Sequence, residues 1–178
     1  MAVERQGSTL FPGMERTAHF SEDGVYRYDL VIPLAETGLR VVWVLCNPST
    51  ADEHADDRTI ARVRTFTTRF GGGTCIILNR YAFRSPYPKV MKAAENEGID
   101  IKGPENDLYF AQHLAEADLV VGGWGGIYRT VETDGSDPTS PAVNPQGKKI
   151  FALAVTAAGD PGHPLYLPTE SQLLPWSP

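Results

Sequence analysis

Four short apolar runs dominate the hydrophobic pattern of the chain. They are VVWVLC (41–46), TCIILN (74–79), ADLVVGGW (117–124) and KKIFALAV (148–155). Val, Ile and Leu are frequent in these runs, and polar residues do not alternate with them regularly. This composition is typical of strands that are covered on both faces of a parallel sheet. The pattern therefore predicts a central, mostly parallel sheet of four strands.

The segments between these runs predict helices. Residues 57–70 place Ile60, Val63, Phe66 and Phe70 at spacings of three and four, which is the pattern of an amphipathic helix. Residues 103–117 have a similar pattern, and a proline in their first turn suits a helix start. Strands that alternate with helices in this way predict a three-layer α/β domain in which helices flank the sheet.

The two ends of the chain follow other patterns. Residues 20–34 alternate around an Asp23-Gly24 turn signal and predict an N-terminal β-hairpin at the sheet edge. Residues 131–147 are rich in Gly, Pro, Ser and Asp and indicate a mobile loop, whereas the apolar residues of 173–176 indicate a short cap. We therefore predict an N-terminal extension over residues 1–19 and one α/β domain over residues 20–178.

Composition narrows the classes of function. The net charge of −6 argues against broad, sequence-independent binding of nucleic acid. It does not exclude a local basic patch formed by Arg62, Arg64 and Arg69. Two cysteines in predicted buried strands argue against a disulfide framework or a zinc site, and we expect no cofactor. With no long apolar stretch and no signal-peptide pattern, we expect a cytoplasmic protein without a membrane partner.

Polar and aromatic residues follow the predicted strands at the points where they end. In an open parallel sheet, ligands bind outside the carboxyl ends of the strands. The residues found there are Asn47, Pro48 and Ser49 after the first strand, Asn79, Arg80, Tyr81, Phe83 and Arg84 after the second, Trp124 after the third and His163 beyond the fourth. This convergence predicts a pocket for a small molecule or a base.

Each of these residues also has a simpler interpretation. Asn47-Pro48 can be an ordinary turn, Trp124 can be core packing, and His163 can be a loop residue. Asn79 is harder to explain in this way, because a buried amide needs partners and offers a donor beside an acceptor, which matches the edge of a pyrimidine or an adenine.

A cluster of acids follows the first strand. Asp52, Asp56 and Asp57 can form a solvated loop or a weak divalent-metal site. We favour the solvated loop, because the segment lacks a fixed pattern of oxygen ligands such as that of a calcium loop.

Several motifs in order resemble one bacterial and phage family, known as domain of unknown function 1643. They are NPSTAD followed by DDRTI, then GPEND, the glycine-tryptophan strand end, and GHPLYLP before a terminal LPW. The resemblance covers roughly residues 25–177. It implies no activity.

A more distant resemblance has chemical content. VLCNPST resembles the GINPG motif of the mismatch-specific uracil/thymine DNA glycosylases, with Asn47 and Pro48 on its Asn and Pro. IILNRYAF resembles their LLLNAVLT strand, with Asn79 on its asparagine, and GHPLYLP resembles their HPSP segment, with His163 and Pro164 matching. The resemblance implies a uracil-DNA glycosylase-like fold.

The same resemblance implies roles for individual residues. Asn47 would position water for attack on the sugar carbon, Asn79 would recognise the base, and His163 would stabilise charge on the leaving base. A flat side chain would stack on an extruded base, and the candidates are Tyr81, Phe83 and Trp124. Ligand-binding candidates further include Pro48, Ser49 and Tyr166, and the candidates for nucleic-acid contact are Arg80, Arg84 and Arg129.

The chain departs from the glycosylase motifs at several positions. Ser49 replaces the glycine after Asn-Pro, and the late motif reads HPLYL, which removes the serine that contacts DNA phosphate and brings in Tyr166. The iron–sulfur cysteines of the thermophilic relatives are absent. The acids of residues 52–57 have no glycosylase counterpart, and they would repel a phosphate backbone unless they bind metal or face away.

Three hypotheses about function follow. The first is a glycosylase-like enzyme that recognises a uracil-like or modified base, with DNA as its partner, and hydrolyses the glycosidic bond. The second is a module of the same fold that binds a nucleotide, a modified base or a protein without chemistry. The third is a metal-assisted phosphoesterase or transferase that uses Asp52, Asp56 and Asp57.

Overall fold

The structure is a computed structural model, and it describes residues 1–11, 14–49, 55–126, 129 and 131–178. The strands are β1 (Ala2–Phe11), β2 (Met14–Ser21), β3 (Arg27–Pro33), β4 (Leu39–Leu45), β5 (Gly72–Asn79), β6 (Leu119–Gly122), β7 (Ile150–Ala152) and β8 (Leu174–Trp176). The α-helices among the described residues are α1 (Arg58–Arg69), α2 (Pro88–Asn96) and α3 (Asn106–Glu116). None of these helices is long and apolar enough to cross a membrane.

All eight strands belong to one mixed sheet with the order β1-β2-β3-β5-β4-β6-β7-β8. The prediction of a mostly parallel sheet of four strands is therefore wrong, although the α/β class is confirmed. Parallel pairing is confined to β5, β4, β6 and β7, and the other four pairings are antiparallel. The apolar runs revealed only the strands that are covered on both faces, because partly exposed strands have a weaker hydrophobic signal.

The N-terminal strands extend the sheet well beyond the predicted hairpin. β2 and β3 form an antiparallel hairpin around residues 22–26, and β1 pairs with β2 from Ala2 to Phe11. The predicted boundary between residues 19 and 20 falls inside β2. At the other end, the apolar tail adds β8 antiparallel to β7.

Two hydrophobic cores lie on opposite faces of the sheet. On one face, Val42, Val44, Ile76 and Leu78 join residues of α2 and α3. On the other face, the alternate residues of the same strands join Ile60, Val63 and Phe66 of α1. Because successive side chains of a strand point to opposite faces, helices on both sides bury most residues of the central strands.

Helices α1 and α3 lie where the periodicity predicts them, and α2 was not predicted. Asp57 caps α1 by accepting a hydrogen bond from the backbone N–H of Ile60 at 2.9 Å. Pro88 stands in the first turn of α2, where its missing N–H costs no helical hydrogen bond. The short α2 follows a proline-rich segment, which is the local signal of a loop rather than of a helix.

A buried carboxylate ties the antiparallel half of the sheet to α3. Asp29 on β3 is 1% exposed, and its oxygens lie 2.9 Å from Nδ1 of His19 and 2.8 Å from Nε2 of His113. Hydrogen bonds to the two histidines lower the pKa of Asp29 to about 2 against the opposing effect of burial. The hydrogen bond to Asp29 raises the pKa of His19 above 6.5. The contact with His113 holds α3 against β3, and the contact with His19 joins β3 to β2.

We expect Asp29→Asn to lower the free energy of unfolding by about 3 kcal/mol, because it removes the charged partner of two histidines. The loss should be largest between pH 3.8 and 6.5. The pKa of Asp29 is lowered from 3.8, so its contribution fades as pH falls below that value; the pKa of His19 is raised from 6.5, so its contribution fades as pH rises through the raised value. Urea denaturation of both proteins from pH 3 to 9 measures the difference.

The matched control is Glu4→Gln, because Glu4 is a half-exposed partner of His19 at 3.3 Å. We expect it to cost less than about 1 kcal/mol. A difference between wild type and Asp29→Asn that does not change with pH would contradict the assignment of charge to this cluster.

Candidate functional site

Part of the set of residues predicted to converge comes together at the carboxyl ends of β4 and β5. The chain passes from β4 to β5 on one side and then crosses to β6 on the other side of β4, so the strand order reverses there. Ligands commonly bind outside the strand ends at such a reversal. β3 runs antiparallel to β5, which places its first residue, Arg27, at this same edge.

A cavity of about 250 Å³ opens at this edge, and we call it the central cavity. Strand ends, the start of α1 and the segment after residue 162 all contribute to it. Its lining includes the side chains of Arg27, Asn47, Ser49, Asp57, Thr59, Asn79, Ser85, His163 and Tyr166, with Leu45, Cys46, Ile60, Pro86 and Leu165. The structure thus brings Asn47, Asn79 and His163 to one cavity, while their roles stay predictions.

Backbone carbonyls fix the orientation of the Asn47 amide. Its Nδ2 donates to the carbonyl oxygens of Ser85 at 2.9 Å and of Pro48 at 3.1 Å. Carbonyls only accept hydrogen bonds, so the amide nitrogen must face them. Within the described residues Oδ1 of Asn47 has no hydrogen-bond partner, and the side chain can therefore offer an acceptor to a ligand or a water.

Arg27 fixes the orientation of the Asn79 amide in the opposite sense. Asn79 is 1% exposed, and its Oδ1 accepts a hydrogen bond from a guanidinium nitrogen of Arg27 at 3.1 Å. A guanidinium only donates, so Oδ1 faces Arg27. Within the described residues Nδ2 of Asn79 has no acceptor, and this residue can therefore offer a donor to the cavity.

His163 supplies a second donor. Its Nδ1 accepts a hydrogen bond from the backbone N–H of Leu165 at 3.3 Å, which places the ring proton of the neutral form on Nε2. Burial lowers the pKa of His163 below 6.5, and the nearby charge of Asp57 opposes this only in part. The imidazole is therefore neutral at pH 7, with a fixed tautomer.

Two local features hold the His163 segment at the sheet edge. A side chain at Gly123 would lie 2.9 Å from Pro164, and one at Gly122 would lie 2.9 Å from Pro161. Only glycine permits this close approach of the segment to the end of β6. Arg62 of α1 donates to the carbonyl of Leu167 and, at 2.7 Å, to the hydroxyl of Thr169.

Three arginines of α1 form hydrogen bonds and ion pairs with other parts of the protein. Arg69 donates to the carbonyls of Thr169 and Ser171, both at 2.6 Å, and Arg64 pairs with Asp56. The contacts of Arg62 and Arg69 tie the C-terminal segment to α1, whereas Arg64 binds the acid that precedes the helix. Arg62, Arg64 and Arg69, considered as a local basic patch, therefore make intramolecular hydrogen bonds and ion pairs.

The predicted acids do not gather into a metal site within the described residues. Asp52 lies outside the described residues. Asp56 pairs with Arg16 and Arg64, and Asp57 caps α1 and lines the central cavity. The described part of the chain contains no group of three or more His, Cys, Asp or Glu side chains that could hold a metal ion.

Trp124, Arg80 and Arg129 line a second cavity of about 320 Å³, which we call the tryptophan cavity. Trp124 is 2% exposed and packs edge-on against Trp176 at a centroid distance of 5.0 Å. The guanidinium of Arg80 lies 5.3 Å from the ring centroid of Trp124, and Arg129 pairs with Asp160 at 2.8 Å. These three residues are not brought to the central cavity.

The remaining ligand candidates lie in different surroundings. Phe83 and Arg84 line a third, open cavity with Ser49, and Tyr81 is 1% exposed and donates its hydroxyl hydrogen bond to the carbonyl of Thr133. Pro48 is buried, and its carbonyl accepts from the N–H of Ser85 at 2.9 Å. Tyr166 is 80% exposed, with its ring centroid 5.6 Å from that of His163. Among the aromatic candidates, Tyr166 alone lines the central cavity.

Sequence reasoning missed three polar residues that shape this site. Arg27 precedes any apolar run of the parallel strands, so its position depends on the antiparallel pairing of β3 with β5. Ser85 offers the carbonyl that holds Asn47. Asn106 is fully buried, and its Nδ2 lies 2.9 Å from the carbonyl of Asn79 and from Oγ of Ser136, and 3.1 Å from the carbonyl of Arg80.

Asn106 is the asparagine of the GPEND motif, and its contacts give this position a structural role. A strand end that leaves the sheet exposes its carbonyls, and a buried carbonyl without a donor is costly. Asn106 donates to two such carbonyls and to Oγ of Ser136, whose hydroxyl in turn donates to Oδ1 of Asp107 at 2.6 Å. The segment 131–147, predicted to be a mobile loop, is docked here with Gly135 and Ser136 buried.

The fold and the cavity define a mixed α/β protein with a small polar cavity at the carboxyl edge of its parallel strands. The model of the family described as "Protein of unknown function (DUF1643)" matches residues 27–165. This is more than half of the chain, so the chain belongs to that family. No curated protein and no solved structure matches the chain, and the resemblance to uracil-DNA glycosylases gains no support from these comparisons.

We expect Asn106→Asp to destabilise the protein more than Asn106→Ala does. Alanine removes the donor and costs about 1–3 kcal/mol, while a carboxylate would also face two carbonyl oxygens with a buried charge. Urea denaturation measures both variants. Asn96→Ala, at the exposed end of α2, is the control with little expected effect. Equal stability of Asn106→Asp and wild type would contradict the assigned orientation of this amide.

We expect the pKa of His163 to lie below 6.5 and that of His19 to lie above 6.5, because the first is desolvated and the second bonds a carboxylate. NMR titration of the histidine ring protons measures both values, with His163→Asn and His19→Gln to assign the signals. Since burial lowers the pKa of His163 in the folded state, its contribution to stability should be lost as pH falls below 6.5. The reverse order of the two pKa values would overturn the neutral assignment of His163.

Proposed function

We propose that the central cavity binds a nucleobase and that the protein is a glycosylase-like enzyme acting on a uracil-like or modified base. One observation carries the proposal: an acceptor on Asn47, a donor on Asn79 and a donor on His163 line one cavity with their orientations set by neighbouring groups. Groups held in this way suit a flat heterocycle whose edge alternates acceptors and donors.

The size and the electrostatics of the cavity support a single ring system. At about 250 Å³ it lies below the ~300–1,000 Å³ of pockets for drug-sized ligands, and it would hold a base better than a whole nucleotide. Arg27 and Asp57 bring opposite charges to the lining, so the cavity does not select strongly for a charged ligand. Tyr166 at the rim offers an exposed ring for stacking on a base or on its neighbour.

Hydrolysis of a glycosidic bond would use these groups as follows. The bond between the sugar carbon and the ring nitrogen breaks, and the base leaves with the electron pair as an anion. A water oxygen bonds to the carbon, and the proton that this water loses passes to the departing base, so the products are the free base and a sugar hydroxyl. Nε2–H of His163 would stabilise the negative charge that develops on a ring oxygen of the base. Oδ1 of Asn47 would orient the water, and Asp57 would stabilise the positive charge that develops on the sugar.

The second candidate is a module that binds a base without chemistry. It is favoured by the contacts that the predicted DNA-contacting arginines make within the protein. Arg129 pairs with Asp160, and Arg84 donates to the carbonyl of Gly24 while lying 4.8 Å from the ring of Phe20. Arginines used within the fold are poorly placed to neutralise phosphates. Binding of a base without turnover distinguishes this candidate from the enzyme.

We expect wild-type protein to create abasic sites in duplexes that contain uracil or hydroxymethyluracil at one position, detected as strand breaks after alkali treatment. His163→Ala should slow base release by about 10²-fold, because one donor to the developing anion is lost. Tyr166→Ala should weaken binding to the duplex, whereas Tyr87→Ala, which removes another exposed tyrosine outside the cavity, should not.

Asn47→Ala is a less clean probe, since Nδ2 of Asn47 also holds the carbonyls of Ser85 and Pro48 and its loss costs about 1–2 kcal/mol of stability. If folded wild-type protein releases no base from any duplex, hydrolysis is wrong. Thermal stabilisation by free uracil would then support the binding module, and its absence as well would overturn the proposal that the central cavity binds a base.

A further inference from the structure

We infer that Arg27 is the residue that sets the selectivity of the central cavity, by holding the Asn79 amide so that the cavity accepts bases with a keto oxygen and rejects bases with an exocyclic amine. This inference rests on the proposal that the cavity binds a base. It assigns a role to a residue of β3 that lies outside the strand-end motifs considered in the sequence.

An asparagine by itself does not discriminate between a keto and an amino group. Rotation of its amide by 180° exchanges the donor and the acceptor, and the two forms are nearly equal in size and shape. Asn79 could therefore face O4 of uracil with Nδ2 or N4 of cytosine with Oδ1. Selectivity requires a neighbour that makes one of these two orientations costly.

Arg27 is a neighbour of this kind. Its guanidinium nitrogen lies 3.1 Å from Oδ1 of Asn79, and both side chains are 1% exposed. Inversion of the amide would place the NH₂ group of Asn79 against a group that can only donate. Two buried donors would then face each other, and such a mismatch is far more costly than the loss of an exposed hydrogen bond.

The charge state of Arg27 makes this constraint permanent at neutral pH. Burial lowers the pKa of Arg27 to about 10, and the charge of Asp57 partly offsets that effect. The charged groups around Arg27 include Asp57, Asp29, Arg84 and Arg16. The guanidinium therefore remains protonated and donor-only over the physiological range.

The sheet topology holds Arg27 in place. Its backbone N–H donates to the carbonyl of Ala82 at 2.9 Å, three residues beyond Asn79. Asp29, two residues further along β3, pairs with Leu78 of β5. The strand that carries Arg27 and the strand that carries Asn79 are thus joined by backbone hydrogen bonds on both sides of the contact. Arg27 is a positioning residue, which acts on the ligand through Asn79.

The test measures dissociation constants by calorimetry for two matched pairs of free bases, uracil with cytosine and hypoxanthine with adenine. Wild-type protein should bind the keto member of each pair at least about tenfold more tightly, because an amine would meet the donor of Asn79 and leave both groups unpaired.

Three variants test the part played by Arg27. Arg27→Gln should bring the two members of a pair within about threefold of each other, because a glutamine amide can accept as well as donate and Asn79 can then invert. Arg27→Lys should keep the keto preference, because an ammonium group only donates. Asn79→Asp should reverse the preference towards cytosine and adenine, since a carboxylate only accepts and would pair with Arg27. Circular dichroism and the unfolding midpoint verify the fold of each variant.

If Arg27→Gln does not fold, Arg27→Lys carries the test, and loss of the keto preference in a folded Arg27→Lys would contradict the inference. Equal binding of keto and amino bases by wild-type protein, or a keto preference that survives in a folded Arg27→Gln, would overturn this inference and leave base binding intact. Binding of none of the four bases would overturn this inference, and together with the absence of base release from every duplex it would overturn the proposed function as well.

Discussion

The pairing of β3 with β5 is the constraint on which the rest of this site depends. β3 is antiparallel to β5, so its start meets the end of β5 at the edge where the parallel strands stop. Without that pairing, Asn79 would end its strand beside solvent or beside apolar side chains. With it, the buried amide of Asn79 gains a buried guanidinium as a partner.

A buried backbone carbonyl without a hydrogen-bond donor destabilises the fold. At this edge of the sheet, asparagine side chains supply the donors. Asn106 donates to the carbonyls of Asn79 and Arg80, and Asn47 donates to those of Pro48 and Ser85. Each amide replaces hydrogen bonds that a continuing strand would have made. The irregular backbone around the central cavity is therefore held by specific hydrogen bonds, which is a condition for recognising a ligand by hydrogen bonds.

The apolar runs were sufficient to locate the parallel strands, because strands buried on both faces have few polar residues. They did not reveal β1, β2 and β3 as a continuous part of the sheet, since those strands include polar and exposed positions such as Glu4 and Arg5. The expectation that ligands bind outside the carboxyl ends of parallel strands placed Asn47, Asn79 and His163 near one another. It did not separate Trp124 and Arg80 from them, because position along a strand does not say on which side of the strand end a side chain lies.

The residues that sequence reasoning missed are those whose function depends on pairs distant in the chain. Arg27 contacts Asn79 across 52 positions, and Asn106 reaches Ser136 across 30. Neither contact has a local pattern of spacing. Asp57 is an intermediate case, since its position before an amphipathic helix predicts a cap while the structure adds a place in the cavity.

The charges around the central cavity also reconcile an acidic protein with the proposed binding of a base. Arg27 and Asp57 line the same cavity, and the charge of Asp57 raises the pKa of Arg27 against the effect of burial. Opposite charges at short range cancel at larger distances, so a neutral ligand enters without a strong field to oppose it. Recognition then depends on the directions of hydrogen bonds rather than on net charge, and the fixed amide of Asn79 supplies one such direction.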